Sequence, residues 1–97
     1  CSGWKNKFCL EDTLFAGLLT GRLLAEGGYT TACDSAHAAM DLWATASVDI
    51  LTYIEKAAHR HRLRRLALDD VIPYTFTIDS SRSVPVYTGG KIVNMGI

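Results

Sequence analysis

Proline is nearly missing from this 97-residue chain, with 2 residues, and glycine is confined to 8, so neither a collagen-like repeat nor a proline-rich disordered linker is encoded. Net charge is missing too. Ten basic residues balance ten acidic ones, which removes the long-range attraction that a basic domain has for nucleic acid or anionic lipid. The longest stretch without a formal charge runs from Thr13 to Gly21, far short of the roughly 20 apolar residues that a membrane-spanning helix needs. No glycine-rich phosphate loop follows a strand pattern, because Gly27-Gly28 come after a helical one. What is present is apolar: 48% hydrophobic residues against 21% charged is enough to bury one core, and the length suits a single domain over residues 1–97.

Leu14, Phe15, Leu18, Leu19 and Leu23 recur at helical spacing, which predicts a first helix over Leu10 to Glu26. Glu11 and Asp12 suit its positive end, and Gly27-Gly28 suit its termination. Gly17 and Gly21 predict a notch for another backbone. A second, long helix is predicted from Ser35 to about Leu63 on the period of Ala39, Met40, Trp43, Ala46, Ile50 and Ile54, with Asp34 and Ser35 as its cap. After Pro73 the period changes to two. Tyr74, Phe76 and Ile78 read as a strand, Val84 to Thr88 as another, and Gly89-Gly90 as a hairpin turn before Lys91 to Met95. The expected fold class is α+β: two amphipathic helices packed on a small antiparallel β-sheet with a C-terminal meander. Met40, Trp43, Ile50 and Ile54 would then cover Phe76 and Ile78. Trp4 to Cys9 and Tyr29 to Cys33 could add short strands.

The chain starts at Cys1 rather than Met, as a processed, secreted product would. Cys1, Cys9 and Cys33 are the disulfide candidates, and their odd number leaves one thiol for a partner. Cys1 carries an amine and a thiol together, yet no oxyanion-hole motif accompanies it, and a terminal disulfide is the reading adopted. His59 and His61 are two apart and fall on opposite sides of a helix, which argues against a metal site with His37. No catalytic residue, cofactor or metal is expected. Arg60, Arg62, Arg64 and Arg65 form a basic surface at the negative end of the second helix, with Asp69 and Asp70 as counter-charges.

Two likenesses follow. Gly21-Arg-Leu-Leu24, Asp34-Ser-Ala36, the long helix and Arg64-Arg-Leu-Ala-Leu-Asp-Asp-Val71 resemble the histone fold, which implies a DNA-binding or dimerisation module; its third helix would fall on Ile72 to Ile78, which alternates as a strand. The Cys1 start, the glycine-notched first helix and the terminal meander resemble a processed yeast or fungal killer toxin subunit. That resemblance implies a secreted, non-enzymatic protein, often paired with a second subunit for which the odd cysteine is available, acting at the wall or membrane of target cells, with Phe15, Leu18, Leu19 and Leu23 as its membrane-active candidates; the neutral charge disfavours nucleic acid as a partner.

Overall fold

The computed structural model describes residues 3–96 and is an α+β protein. Cys1, and with it any bridge it would make, lies outside the described residues. Helix α1 spans Leu10–Glu26 and α2 spans Asp34–Ala46; short helices follow at Ile50–Tyr53 (α3), Ala58–Arg65 (α4) and Ile72–Thr75 (α5). The chain closes with strands β1, Pro85–Thr88, and β2, Lys91–Asn94, paired antiparallel. No helix among the described residues is long and apolar enough to cross a membrane.

Helix α1 ends where expected, at Gly27, whose φ of 80° is easy for glycine and whose N–H donates to the Leu24 carbonyl. Its predicted notch is half right. Gly17 lies directly against the Ala39 backbone and the Trp43 side chain of α2, whereas nothing approaches Gly21. At the start of α2 it is Cys33 that holds the cap position, and Asp34, expected to cap, is already helical.

The long second helix does not exist. It stops at Ala46, and Asp49 starts a new helix by accepting hydrogen bonds from the Thr52 N–H (3.3 Å) and hydroxyl (2.7 Å). An aspartate that captures two donors three residues ahead favours a cap over continuation. The chain breaks again at Ala57, whose ψ of 138° is extended. The pieces keep the predicted apolar spacing but fold around one centre: Leu14, Ala46, Ile54, Ala57 and Ile72 form the buried cluster, with Leu42, Trp43, Ile50, Leu63 and Phe76 packed on it. Ile54, 1% exposed, is the largest single contributor together with Leu14. Ile54→Ala is expected to lower stability by about 2–5 kcal/mol in a denaturant titration, because a cavity replaces a fully buried side chain.

The first strand of the expected meander is also absent. Pro73 sits in the first turn of α5, where its missing N–H costs nothing. The hydroxyls of Thr75 and Thr77 donate to the carbonyls of Val71 and Pro73, each four residues back. Local bonding of this kind overrides the alternation. Helices therefore pack on helices, and Trp43 and Phe76 each pack on the buried helical cluster instead of across a sheet. The hairpin itself is as read: Gly89 and Gly90 have φ of 56° and 76°, the pair of positive values that a two-residue turn requires. Trp4 to Lys7 makes only a tight turn with one bridge, and Tyr29 to Cys33 is not a strand.

Candidate functional site

A cleft of about 760 Å³ opens beside the core, walled by α1, α4 and the segment 71–79. Its floor is apolar; Arg22, Thr75, Thr77 and Asp79 line the cleft, and its other polar groups come from the start of α1 and from α4. From the start of α1 come Cys9, Glu11 and Asp12, whose thiol sulfur and carboxylate oxygens lie within 4.8 Å of one another. The Gly3 N–H donates to Asp12 Oδ2 at 3.1 Å, which fixes one carboxylate oxygen and leaves the other for a ligand. Two carboxylates and a thiol at this spacing form a donor set that a divalent cation could share. From α4 come His59, Arg60 and Arg62.

The arginines of α4 divide by partner. Arg64 bonds Glu55 at 3.0 Å and lies 3.5 Å from Asp69, which raises its pKa, chiefly through the hydrogen bond to Glu55. Arg60, with a side chain only 11% exposed, has Glu55 and Asp69 at 3.5 Å, yet its Nε and Nη1 make no hydrogen bond among the described residues. Arg62 has no carboxylate within salt-bridge distance among the described residues; its guanidinium lies 4.7 Å from the centre of the Trp4 ring and its Nη2 is 3.3 Å from His59 Nδ1. Arg65 is exposed. The basic stretch is thus four different things: Arg60 nearly buried between two carboxylates, Arg62 over an indole, Arg64 bonded to Glu55, and a solvated Arg65. His59 Nδ1 lies beside Arg62, and Asp69 is the counter-charge expected for this stretch.

Cys9 and Cys33 are both free thiols, so these two disulfide candidates do not bridge to each other. Their surroundings differ. Burial, then the negative charge of Glu11 and Asp12, pushes the Cys9 thiol up, while the N–H groups of Ala36 and Ser35 at the start of α2 hold the Cys33 thiol below its ordinary value. Near neutral pH, Cys33 is expected to react with iodoacetamide well before Cys9, since the thiolate is the nucleophile; peptide mass spectrometry over a time course reads this directly.

Phe15, Leu18 and Leu19, expected to meet a membrane, line the cleft, with Phe15 57% and Leu19 43% exposed, and Leu23, 36% exposed, lies outside its lining. The carboxylates that sequence reasoning gave only to the helix dipole are the ones that share the cleft with the arginines. The signal available was the Cys9-Leu-Glu-Asp12 spacing at a helix start; what it lacked was any indication that α4 would fold back over it.

A family model described as 2-phosphosulpholactate phosphatase matches residues 1–90. The chain belongs to this family. Among curated relatives, a probable 2-phosphosulfolactate phosphatase of Gloeobacter violaceus is 38% identical over 96 residues, 99% of this chain and 39% of that protein. Another of the same name from a Synechococcus strain is 41% identical over 69 residues, covering 71% of this chain and 28% of its own length. A third, from Clostridium botulinum, is 27% identical over 94 residues, 97% of this chain and 39% of the relative. The chain therefore spans about two-fifths of the length of the first of these. No solved structure matches it significantly.

Membership of a phosphatase family overturns both resemblances drawn from the sequence. The killer-toxin plan rested on a start at Cys1 and on a meander that loses its first strand. The histone plan needed one continuous central helix, and the chain breaks it twice. The expectations of a non-enzymatic chain, a toxin partner subunit and a target cell wall or membrane fall with them.

Proposed function

We propose that this chain supplies the anion-gripping and carboxylate-bearing cleft of a phosphatase acting on 2-phosphosulfolactate, the compound in the relatives' name. That substrate carries a phosphate ester, a sulfonate and a carboxylate on three carbons, so its site must offer several cationic donors around a small volume. The observation that carries the reading is the placing of Arg60 and Arg62 on one wall of the cleft, Arg60 ion-paired at 3.5 Å to Glu55 and Asp69 and Arg62 with no carboxylate within salt-bridge distance among the described residues, with Glu11 and Asp12 lining the same cleft. A guanidinium that lines a cleft is suited to an anion, because it offers charge-assisted, paired donors.

In hydrolysis of a phosphate monoester, a water oxygen bonds to phosphorus, the ester P–O bond breaks, and the departing alkoxide takes a proton. Arg60 and Arg62 would hold the phosphoryl oxygens and stabilise the charge spread over them. Glu11, or the unbound oxygen of Asp12, would orient the water and accept its proton. The apolar floor from Leu14, Leu18 and Ile54 keeps the field of these charges strong. The test is release of inorganic phosphate from 2-phosphosulfolactate, with Glu11→Gln and Asp12→Asn as controls. Release that both substitutions suppress supports the reading; no release, together with no binding of inorganic phosphate to the chain, rejects it.

A further inference from the structure

Arg60 and Arg64 stand one turn apart on α4, and both face the same two carboxylates. Glu55 comes from the single helical turn Ile54–Lys56 just before α4, and Asp69 from the turn Asp69–Val71 that follows it. The chain thus brings one acid to the arginines from each side, and the four side chains close a ring in which two positive charges balance two negative ones. The ring is not symmetric about the cleft. Arg60 lines the cleft with its side chain 11% exposed, whereas Arg64, Glu55 and Asp69, each about half exposed, lie outside the lining.

The contacts within the ring are unequal as well. Arg64 Nη2 donates to Glu55 Oε2 at 3.0 Å, while Arg60 Nη2 stands 3.5 Å from Oε1 of the same carboxylate. Both arginines stand 3.5 Å from Asp69 Oδ2, Arg60 through Nη1 and Arg64 through Nε. A charge-assisted N–H···O bond is ordinarily about 2.7–2.9 Å long. The Arg64–Glu55 bond comes near that length, and neither Arg60 contact does. Without Arg64, one arginine would face two carboxylates, the ring would carry a net negative charge behind the cleft wall, and Glu55 would have no ion-pair partner but Arg60 among the described residues. A guanidinium drawn onto two acids has fewer donors left for a third anion, and an uncompensated carboxylate repels that anion.

We infer that Arg64 is a positioning residue of the cleft: it holds Glu55 and Asp69 off Arg60 and so sets how strongly Arg60 takes an anion, without touching the anion itself. Glu55 and Asp69 are then internal competitors for Arg60 rather than its supports. This role rests on the cleft being an anion site and adds to that site three residues that do not line it.

Calorimetric titration of the chain with inorganic phosphate tests it, with a denaturant midpoint taken for every variant. Arg64→Gln is expected to weaken phosphate binding about 3–10-fold, as a unit negative charge is left uncompensated a few ångströms behind the site. Arg64→Lys keeps the charge and is expected to keep most of the affinity. Glu55→Gln is expected to act in the opposite direction and tighten binding about 2–5-fold, because a competitor for Arg60 is gone. Placed in the Arg64→Gln background, it is expected to recover most of the lost affinity. A ring that only braces the fold would give other signs: each substitution would weaken binding or leave it unchanged, and the double variant would be the worst. Midpoints are expected to move little, since partly exposed ion pairs add little to stability. If Arg64→Gln does not fold, Glu55→Gln decides alone, with tighter binding in support and equal or weaker binding against. In a chain that binds phosphate, equal affinity of Arg64→Gln and the unaltered protein overturns the inference and leaves the anion site standing; no phosphate binding by the unaltered chain overturns both.

Discussion

Gly17→Leu is expected to unfold the helical part of this protein, and Gly17→Ala to cost about 2–3 kcal/mol, while Gly21→Ala four residues later is expected to be neutral or to add up to about 1 kcal/mol. The two glycines lie on the same helix and read alike in sequence. What separates them is what their missing Cβ would meet. At Gly17 it would run into the Ala39 carbonyl and stand 2.9 Å from the Trp43 Cβ, and the obstacle is backbone, which cannot rotate away. At Gly21 it would enter open space, so alanine brings only its better helix propensity. The close approach of α1 to α2 sets Leu14 against Ala46 in the core, and forcing the helices apart opens that cluster as well. With total stability of a domain this size on the order of 5–15 kcal/mol, a leucine at Gly17 exceeds what the fold can absorb. Denaturant titration followed by helical circular dichroism separates the three variants; equal midpoints for Gly17→Ala and Gly21→Ala would show that the helices do not cross at Gly17.

How much of this was legible beforehand depended on whether a signal was local. The span of α1, its glycine stop and the Gly89-Gly90 turn follow from periodicity and from backbone conformations that glycine favours, and all were read correctly, as was the α+β class. The errors came where two local preferences competed. Apolar spacing ran unbroken from Ala36 to Ala57, but Asp49 and Thr52 had a hydrogen-bonded cap to make, and the cap won. Tyr74 to Ile78 alternated, but Pro73 and two threonine hydroxyls favoured a turn of helix. The cleft was the least legible feature, because it joins Glu11 and Asp12 to Arg60 and Arg62 across some fifty residues of sequence, and only the folding back of α4 brings them together. Without that juxtaposition Glu11 and Asp12 read as dipole partners, the arginines as a solvated helix end, and Phe15, Leu18 and Leu19 as an apolar stripe seeking a surface.

Arg62→Ala is expected to weaken binding of inorganic phosphate about 10–100-fold, the equivalent of losing charge-assisted hydrogen bonds of about 1.5–3 kcal/mol. The expectation depends on Arg62 being the cleft-lining arginine of α4 that has no carboxylate at salt-bridge distance among the described residues: Arg64 is occupied by Glu55 and Asp69, and Arg60 shares them at 3.5 Å. Orientation should matter as well as charge. The Trp4 ring lies 4.7 Å beneath the guanidinium and His59 Nδ1 is 3.3 Å from Nη2, which together fix the plane of a group that binds phosphate through paired donors. Trp4→Ala leaves the charge in place and removes the platform, and a cation–π contact at an exposed site is worth about 0.5–1 kcal/mol, so a loss of only about 2–5-fold is expected. Arg62→Lys should fall between the two, because a lysine keeps the charge without the fork or the flat face. Calorimetric titration of each variant with inorganic phosphate gives the order directly. If Arg62→Ala binds phosphate as the unaltered chain does, the anion is held elsewhere in the cleft, and Arg60 alone would have to supply the donors.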